Sequence, residues 1–123
     1  MSHKVLLVDD NEDLLLITQI ILKGQGLHVL TARTREEAEH KIRIHHPDLL
    51  LLDLHLDNDN GNEFCKQLKT NPFNYDLRVI LMSGDEFSTI QGFSADDFLS
   101  KPFDFDDLLE KVQRQLITEN VGV

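Results

Sequence analysis

Val5-Leu6-Leu7-Val8-Asp9-Asp10 runs four apolar residues straight into two adjacent carboxylates. A short run rich in branched side chains, followed at once by Asn11 and Glu12, reads as a buried strand that stops at a polar rim. The pattern returns three times. Leu49-Leu50-Leu51-Leu52 ends on Asp53, Val79-Ile80-Leu81-Met82 on Ser83, and Phe98-Leu99-Ser100 on Lys101. Four strand ends thus carry acids, a hydroxyl and a cation toward one edge.

Between these runs lie helical patterns. Leu14, Ile17 and Ile21 recur at i, i+3 and i+7 behind Asn11, a candidate N-cap, with Ile20 widening the stripe and Gly24 and Gly26 ending it. His28 to Ala32 is a short second strand. Thr34-Arg35-Glu36-Glu37 forms a capping box for a helix with Ala38 and Ile42 inward and the pairs Glu37/Lys41 and Glu39/Arg43 outward. A polar loop from Asp53 ends in the turn signal Asn60-Gly61. Phe64 and Leu68 then share a helix face, which Asn71-Pro72 closes. Phe87, Ile90 and Gln91 offer one or two helical turns before Gly92. Asp104 caps a last helix with Leu109, Val112 and Leu116 inward and Asp107/Lys111 and Glu110/Arg114 outward.

Five strand–helix alternations predict an α/β fold with a parallel sheet joined by right-handed crossovers. The chain is too short for a closed eight-fold barrel. The expectation is therefore one domain over residues 1–123: an open, doubly wound, five-stranded sheet of order 2-1-3-4-5 with a shortened fourth helix. In such a sheet the site lies beyond the carboxyl ends of the strands, where the polar residues above fall.

Asp and Glu outnumber Lys and Arg by 22 to 12, giving a net charge of −10. That excludes a basic face for nucleic acid and disfavours an anionic membrane surface. Cys65 is the only cysteine, so no internal disulfide forms, and a reducing compartment is expected. Met1-Ser2-His3-Lys4 has no signal-peptide core, and no apolar run approaches a membrane span. The expected location is cytoplasmic.

Strands 1 and 3 are neighbours in this order, about 4.8 Å apart, so Asp9, Asp10 and Asp53 meet. Three carboxylates in one pocket repel, and one acquires a raised pKa unless a cation intervenes. Mg²⁺ suits such hard oxygens. Lys101 brings a fixed positive charge and Ser83 a hydroxyl. This set can hold a phosphoryl group on a carboxylate, with Asp53 as acceptor, Mg²⁺ on Asp10 and Asp53, and Lys101 and Ser83 on the phosphoryl oxygens.

Over essentially its whole length the chain resembles the response-regulator receiver domain of two-component signalling, a flavodoxin-like fold shared with chemotaxis regulators. The motifs that carry the resemblance are the acidic pair after Val8, the acceptor strand ending at Asp53, the loop Leu54-His55-Leu56-Asp57-Asn58-Asp59-Asn60-Gly61, Ser83-Gly84, and Ala95-Asp96-Asp97-Phe98-Leu99-Ser100-Lys101-Pro102-Phe103. The resemblance implies phosphorylation of Asp53 by a sensor histidine kinase or phosphotransfer protein. It implies Mg²⁺ on Asp9, Asp10, Asp53 and the backbone carbonyl of His55, movement of Ser83 toward the phosphoryl group, and Phe98 as an aromatic switch. It also implies a cis Lys101-Pro102 bond and a non-enzymatic output through an unidentified downstream protein.

Three departures stand out. Asp57 occupies the usual proline position four residues after the acceptor, and Ser94 replaces a glycine. The stretch from Ser83 to Lys101 is about a helical turn short, which falls on the fourth helix, part of the family's output face.

Plainer readings exist for several residues. Asp9 and Asp10 suit a helix start, Ser83 a strand-end turn and Phe98 the core. His45-His46 suits a helix C-terminus, His55 an exposed loop and Cys65 the core margin. A Mg²⁺-dependent phosphohydrolase with an aspartyl intermediate would carry Asp-x-Asp after strand 1 and a cap insertion. A flavin module would not put four polar or acidic residues against a phosphate. A receiver-like domain that signals without phosphorylation conflicts with the intact acid, hydroxyl and lysine set.

Overall fold

The computed structural model describes residues 3–56, 59–84 and 94–117. The elements of the main sheet and its helices follow in chain order as β1 (Lys4–Val8), α1 (Glu12–Lys23), β2 (His28–Ala32), α2 (Arg35–His45), β3 (Leu49–Asp53), α3 (Gly61–Thr70), β4 (Arg78–Ser83), β5 (Asp97–Ser100) and α4 (Phe105–Ile117). The parallel sheet has the expected order β2-β1-β3-β4-β5. The expected short fourth helix falls at residues 85–93, outside the described residues, as does Asp57.

Alternation along the strands builds two cores. Leu6, Val8, Leu50, Leu52, Val79 and Leu81 face α2 and α3, where Ala38, Ile42, Phe64, Cys65 and Leu68 meet them. Val5, Leu7, Leu49, Leu51, Ile80 and Met82 face α1 and α4, against Leu15, Leu22, Leu108, Val112 and Leu116. The three central strands are apolar between their polar ends because both of their faces are covered.

Caps behave as expected. Asn11 Oδ1 accepts from Leu14 N at 3.1 Å, and Thr34 Oγ1 from Glu37 N at 3.1 Å. His46 closes α2 in a left-handed conformation, φ 48°, with its N–H donating to Ile42 O. The histidine pair is thus part of a helix stop.

Several expectations need correction. The buried face of α1 is Leu15, Thr18 and Leu22; Ile21 is only half-buried, while Leu16, Ile17 and Ile20 face solvent. In α4 Leu108 joins Val112 and Leu116 on the fully buried face, and Leu109 packs half-buried against the same core. Glu39 pairs with Arg35 at 3.1 Å, and Lys111 reaches Asp97 at 3.7 Å. Glu37–Lys41 and Glu110–Arg114 form as expected. Cys65 lies fully within the core, where burial pushes its thiol up to about 11 and keeps it protonated. The loop after Asp53 is not uniformly polar. Leu54 and Leu56 are buried, and His55–Leu56 pairs antiparallel with Asp59–Asn60 in a short ribbon.

Candidate functional site

The register of the sheet assembles the site. The last pair between β1 and β3 is Val8↔Leu52, so Asp9 and Asp53 emerge one step further, side by side. Carboxylate oxygens of Asp9, Asp10 and Asp53 lie within 4.8 Å of one another. Asp9 and Asp53 are buried and Asp10 is exposed, which opens the cluster to solvent on one side.

β5 brings the counter-charge. Lys101 Nζ donates to Asp9 Oδ2 at 2.6 Å and stands 3.4 Å from Asp53 Oδ2. The Lys101-Pro102 bond is cis. Asp53 Oδ1 accepts from the His55 backbone N–H at 3.2 Å. Burial pushes the Asp53 carboxyl above its ordinary range and the Asp9 charge adds to that, while the His55 N–H and Lys101 oppose both. Of the three acids it is thus Asp53 whose carboxyl is raised, by burial first and by the neighbouring Asp9 charge second.

Ser83 ends β4 beside this cluster, buried, and its carbonyl accepts from Lys101 N at 2.8 Å. Phe98 does not enter the pocket. It is half-buried on β5, level with Leu81, and packs on the core beneath α2 and α3. Its carbonyl accepts from Lys111 Nζ. The His55 residue is exposed, and its backbone N–H is what donates to Asp53 Oδ1.

Two supporting residues escaped the sequence reading. Gly61 appeared as a turn signal, yet it is the first residue of α3, and a Cβ there would stand 2.4 Å from the carbonyl oxygen of Asp53. Its N–H donates to Leu54 O at 2.7 Å, and Asn60 Oδ1 caps the helix through Asn62 N and Glu63 N. The loop after Asp53 is thereby folded back onto the backbone of Asp53 itself. Asp96, just before β5, is the second. Its Oδ2 accepts from Val79 N at 2.8 Å and Lys69 Nζ at 2.7 Å, tying the approach to β5 to β4 and α3.

The donor set fits a small hard cation. It offers three carboxylates within reach of one another, one of them open to water, with net negative charge left after Lys101 is counted. Among the described residues no helix is long and apolar enough to cross a membrane.

Comparison with known proteins agrees with this geometry. A family model, the response regulator receiver domain, matches residues 5–113. The alkaline phosphatase synthesis transcriptional regulatory protein PhoP of Bacillus subtilis is 36% identical over 105 residues, 84% of this chain and 44% of that protein. The phosphate regulon transcriptional regulatory protein PhoB of Rhizobium meliloti is 32% identical over 120 residues, 94% of this chain and 53% of that protein. The chain spans about half the length of these curated relatives. The CheY-like response regulator receiver domain protein of Methanospirillum hungatei superposes with a TM-score of 0.91 at 28% identity, covering all of both chains. The chemotaxis response regulator CheY4 of Vibrio cholerae gives 0.87 at 25% identity, covering 94% of this chain and 99% of that one. With its sheet order, its strand-end acids and lysine, and a family match spanning β1 to α4, the chain belongs to the response regulator receiver domain family of two-component signalling.

Proposed function

We propose that residues 1–123 act as one receiver domain that accepts a phosphoryl group on Asp53 from a histidine kinase or phosphotransfer protein. The observation that carries this is the convergence of Asp53 with Asp9, Asp10 and Lys101 at one sheet edge. Asp53 is the acceptor as the acid that ends the central strand β3, with Asp9 and Asp10 within 4.8 Å and Lys101 3.4 Å away. Burial and the Asp9 charge leave its carboxylate poorly stabilised, which favours attack on phosphorus. The new O–P bond forms on an Asp53 oxygen as the donor's P–N bond breaks, with that electron pair returning to the imidazole nitrogen. The product is an acyl phosphate.

Asp9, Asp10, Asp53 and the His55 carbonyl would hold Mg²⁺, which when bound supplies charge neutralisation for the carboxylates and phosphoryl oxygens. Lys101, held by Asp9 in the unphosphorylated state, shares its charge with the incoming phosphoryl group. Ser83 donates its hydroxyl to another phosphoryl oxygen. The Lys101 N–H to Ser83 carbonyl bond couples these two residues, and Phe98 lies on β5, three residues before Lys101. Its inward movement behind Ser83 would convert phosphorylation into a new surface for a downstream protein, a shift between two pre-existing states. The domain itself is non-enzymatic and cytoplasmic, and with a net charge of −10 it does not contact nucleic acid directly.

Intact-protein mass after incubation with Mg²⁺ and acetyl phosphate tests the reading. One added phosphoryl group, absent in Asp53→Asn and in the presence of chelator, is expected. An adduct that persists in Asp53→Asn would move the acceptor elsewhere. No adduct on a folded chain, even with a beryllofluoride mimic, would show a receiver that signals without phosphate.

A further inference from the structure

Helix α1 carries a second stripe that its own core does not use. Asp13, Leu16, Ile20 and Lys23 are all exposed and follow one another at i, i+3, i+7 and i+10. On a helix of 3.6 residues per turn that spacing confines them to a seam ~80° wide, the spacing of residues that pack against another helix. Leu16 is 57% and Ile20 63% exposed, and Ile17 at 47% flanks them. Three large aliphatic side chains thus lie in contact with water on one short helix. Among the described residues neither Asp13 nor Lys23 enters an ion pair.

The order along the seam is acid, apolar, apolar, base, and turned end for end it is its own complement. In an antiparallel pair centred at the level of Thr18, residues equally far before and after that point face each other. Asp13 then meets Lys23, Leu16 meets Ile20, and each match occurs twice by the two-fold axis. A parallel pair would set Asp13 against Asp13 and Lys23 against Lys23, which like-charge repulsion disfavours.

We infer that α1 is a self-association surface, on which a second copy of this chain docks its own α1 antiparallel through the Asp13-Leu16-Ile20-Lys23 seam. The apolar pair supplies most of the affinity, and the end charges set direction, since exposed ion pairs contribute little by themselves. A 12-residue helix is ~18 Å long and buries less than the ~1,200–2,000 Å² of a standard interface. The dimer is therefore weak and concentration-dependent.

Sedimentation velocity on the full chain, from about 10 µM to about 1 mM, is the test. A reversible monomer–dimer equilibrium is expected. Ile20→Glu should weaken it about ten-fold or more, and Asp13→Lys or Lys23→Asp should each weaken it by a smaller factor. The double exchange D13K/K23D should restore association to near the parent level, because both ends of each match are swapped. Circular dichroism checks that each variant remains folded, and Leu16→Gln provides a milder second variant of the apolar pair. A chain that stays monomeric throughout overturns the inference and leaves this face to a different protein, such as the phosphodonor. A dimer indifferent to Ile20→Glu, or a double exchange no tighter than the single ones, also overturns it and moves the contact off α1.

Discussion

The Lys101 ammonium lies 2.6 Å from Asp9 Oδ2, joining the end of β5 to the end of β1 across the strand that carries Asp53. Asp53 Oδ2 stands 3.4 Å from the same nitrogen, so one cation serves two buried acids. Lys101→Met leaves both without it. Removing one partner of a fully buried pair costs ~3–5 kcal/mol, and Lys101 is partly exposed, so a loss of about 2 kcal/mol is expected in metal-free buffer. Asp9→Asn combined with Lys101→Met should cost less than the two separately, since the residues share one interaction. Urea midpoints measure both. A Lys101→Met protein as stable as the parent without metal would show that the pair contributes nothing.

The raised pKa of Asp53 makes a pH prediction with an unusual sign. Its folded-state value lies above the ordinary 3.8, through burial first and the Asp9 charge second. Protonation is therefore easier in the folded state than in the unfolded one. The stability that Asp53 contributes is present below the unfolded value and lost as pH rises through the folded value. At pH 7 the charged side chain opposes folding, and Asp53→Asn should melt higher than the parent in metal-free buffer. The gap should close as pH falls through the folded value toward 3.8. Thermal melts at a series of pH values check this, and a gap that widens toward acid would contradict it.

Millimolar Mg²⁺ should raise the parent's melting temperature and chelator should reverse the rise, because a cation bound only by the folded state stabilises by mass action. Asp10 is the exposed member of the cluster and enters no ion pair among the described residues, so Asp10→Asn should leave metal-free stability nearly unchanged. The same variant should remove most of the Mg²⁺-induced shift. If Asp10→Asn responds to Mg²⁺ as the parent does, the cation binds elsewhere.

Asp96 holds β5 in register at its start. Its carboxylate accepts from Val79 N and Lys69 Nζ, with Arg78 3.7 Å away, and its own N–H donates to Val79 O. Asp96→Ala leaves the Val79 N–H without its acceptor and removes the carboxylate facing Lys69 and Arg78, Lys69 keeping its bond to Leu77 O. A loss of ~2–3 kcal/mol is expected, the range for removing a charged hydrogen-bond partner. Asp96→Asn, which keeps an acceptor for Val79, should recover about half. Equal losses in the two variants would assign the stability to the ion pairs rather than to the backbone bond.

The reach of the sequence differs between these residues for physical reasons. Asp9 and Asp53 are legible because a parallel sheet forces strand ends together and each follows an unmistakable apolar run, whereas Lys101, after the short Phe98-Leu99-Ser100, is legible through the Pro102-Phe103 that follows it. The buried face of α1 is not. Leu14-Leu15-Leu16-Ile17 and Ile20-Ile21-Leu22 satisfy helical spacing on more than one face, and the face that packs contains Thr18, a polar residue that hides it. Asp96 looked like any acid before a strand because its partners are 17 and 27 residues away. Leu54 and Leu56 were passed over because a loop containing Asp57, Asn58 and Asp59 reads as polar, yet they anchor it to the core.

Gly61 shows most directly how the backbone of Asp53, the proposed acceptor, is held. It begins α3, where glycine to alanine at a helical position ordinarily gains up to ~1 kcal/mol. Here a Cβ would meet the Asp53 carbonyl oxygen at 2.4 Å and Leu54 Cα at 2.8 Å, both backbone atoms that no rotamer change can move. Relief requires α3 to withdraw from the end of β3, stretching the 2.7 Å bond from Gly61 N to Leu54 O. Gly61→Ala should therefore destabilise by about 1–3 kcal/mol, the range for forced overpacking, reversing the propensity sign. The displacement begins at Asp53, the residue proposed to accept the phosphoryl group. The same variant should then take up acetyl phosphate more slowly under conditions where it remains folded, read by intact mass against time. A stable Gly61→Ala protein with the parent's rate would mean that the approach of α3 to Asp53 is not needed by either fold or site.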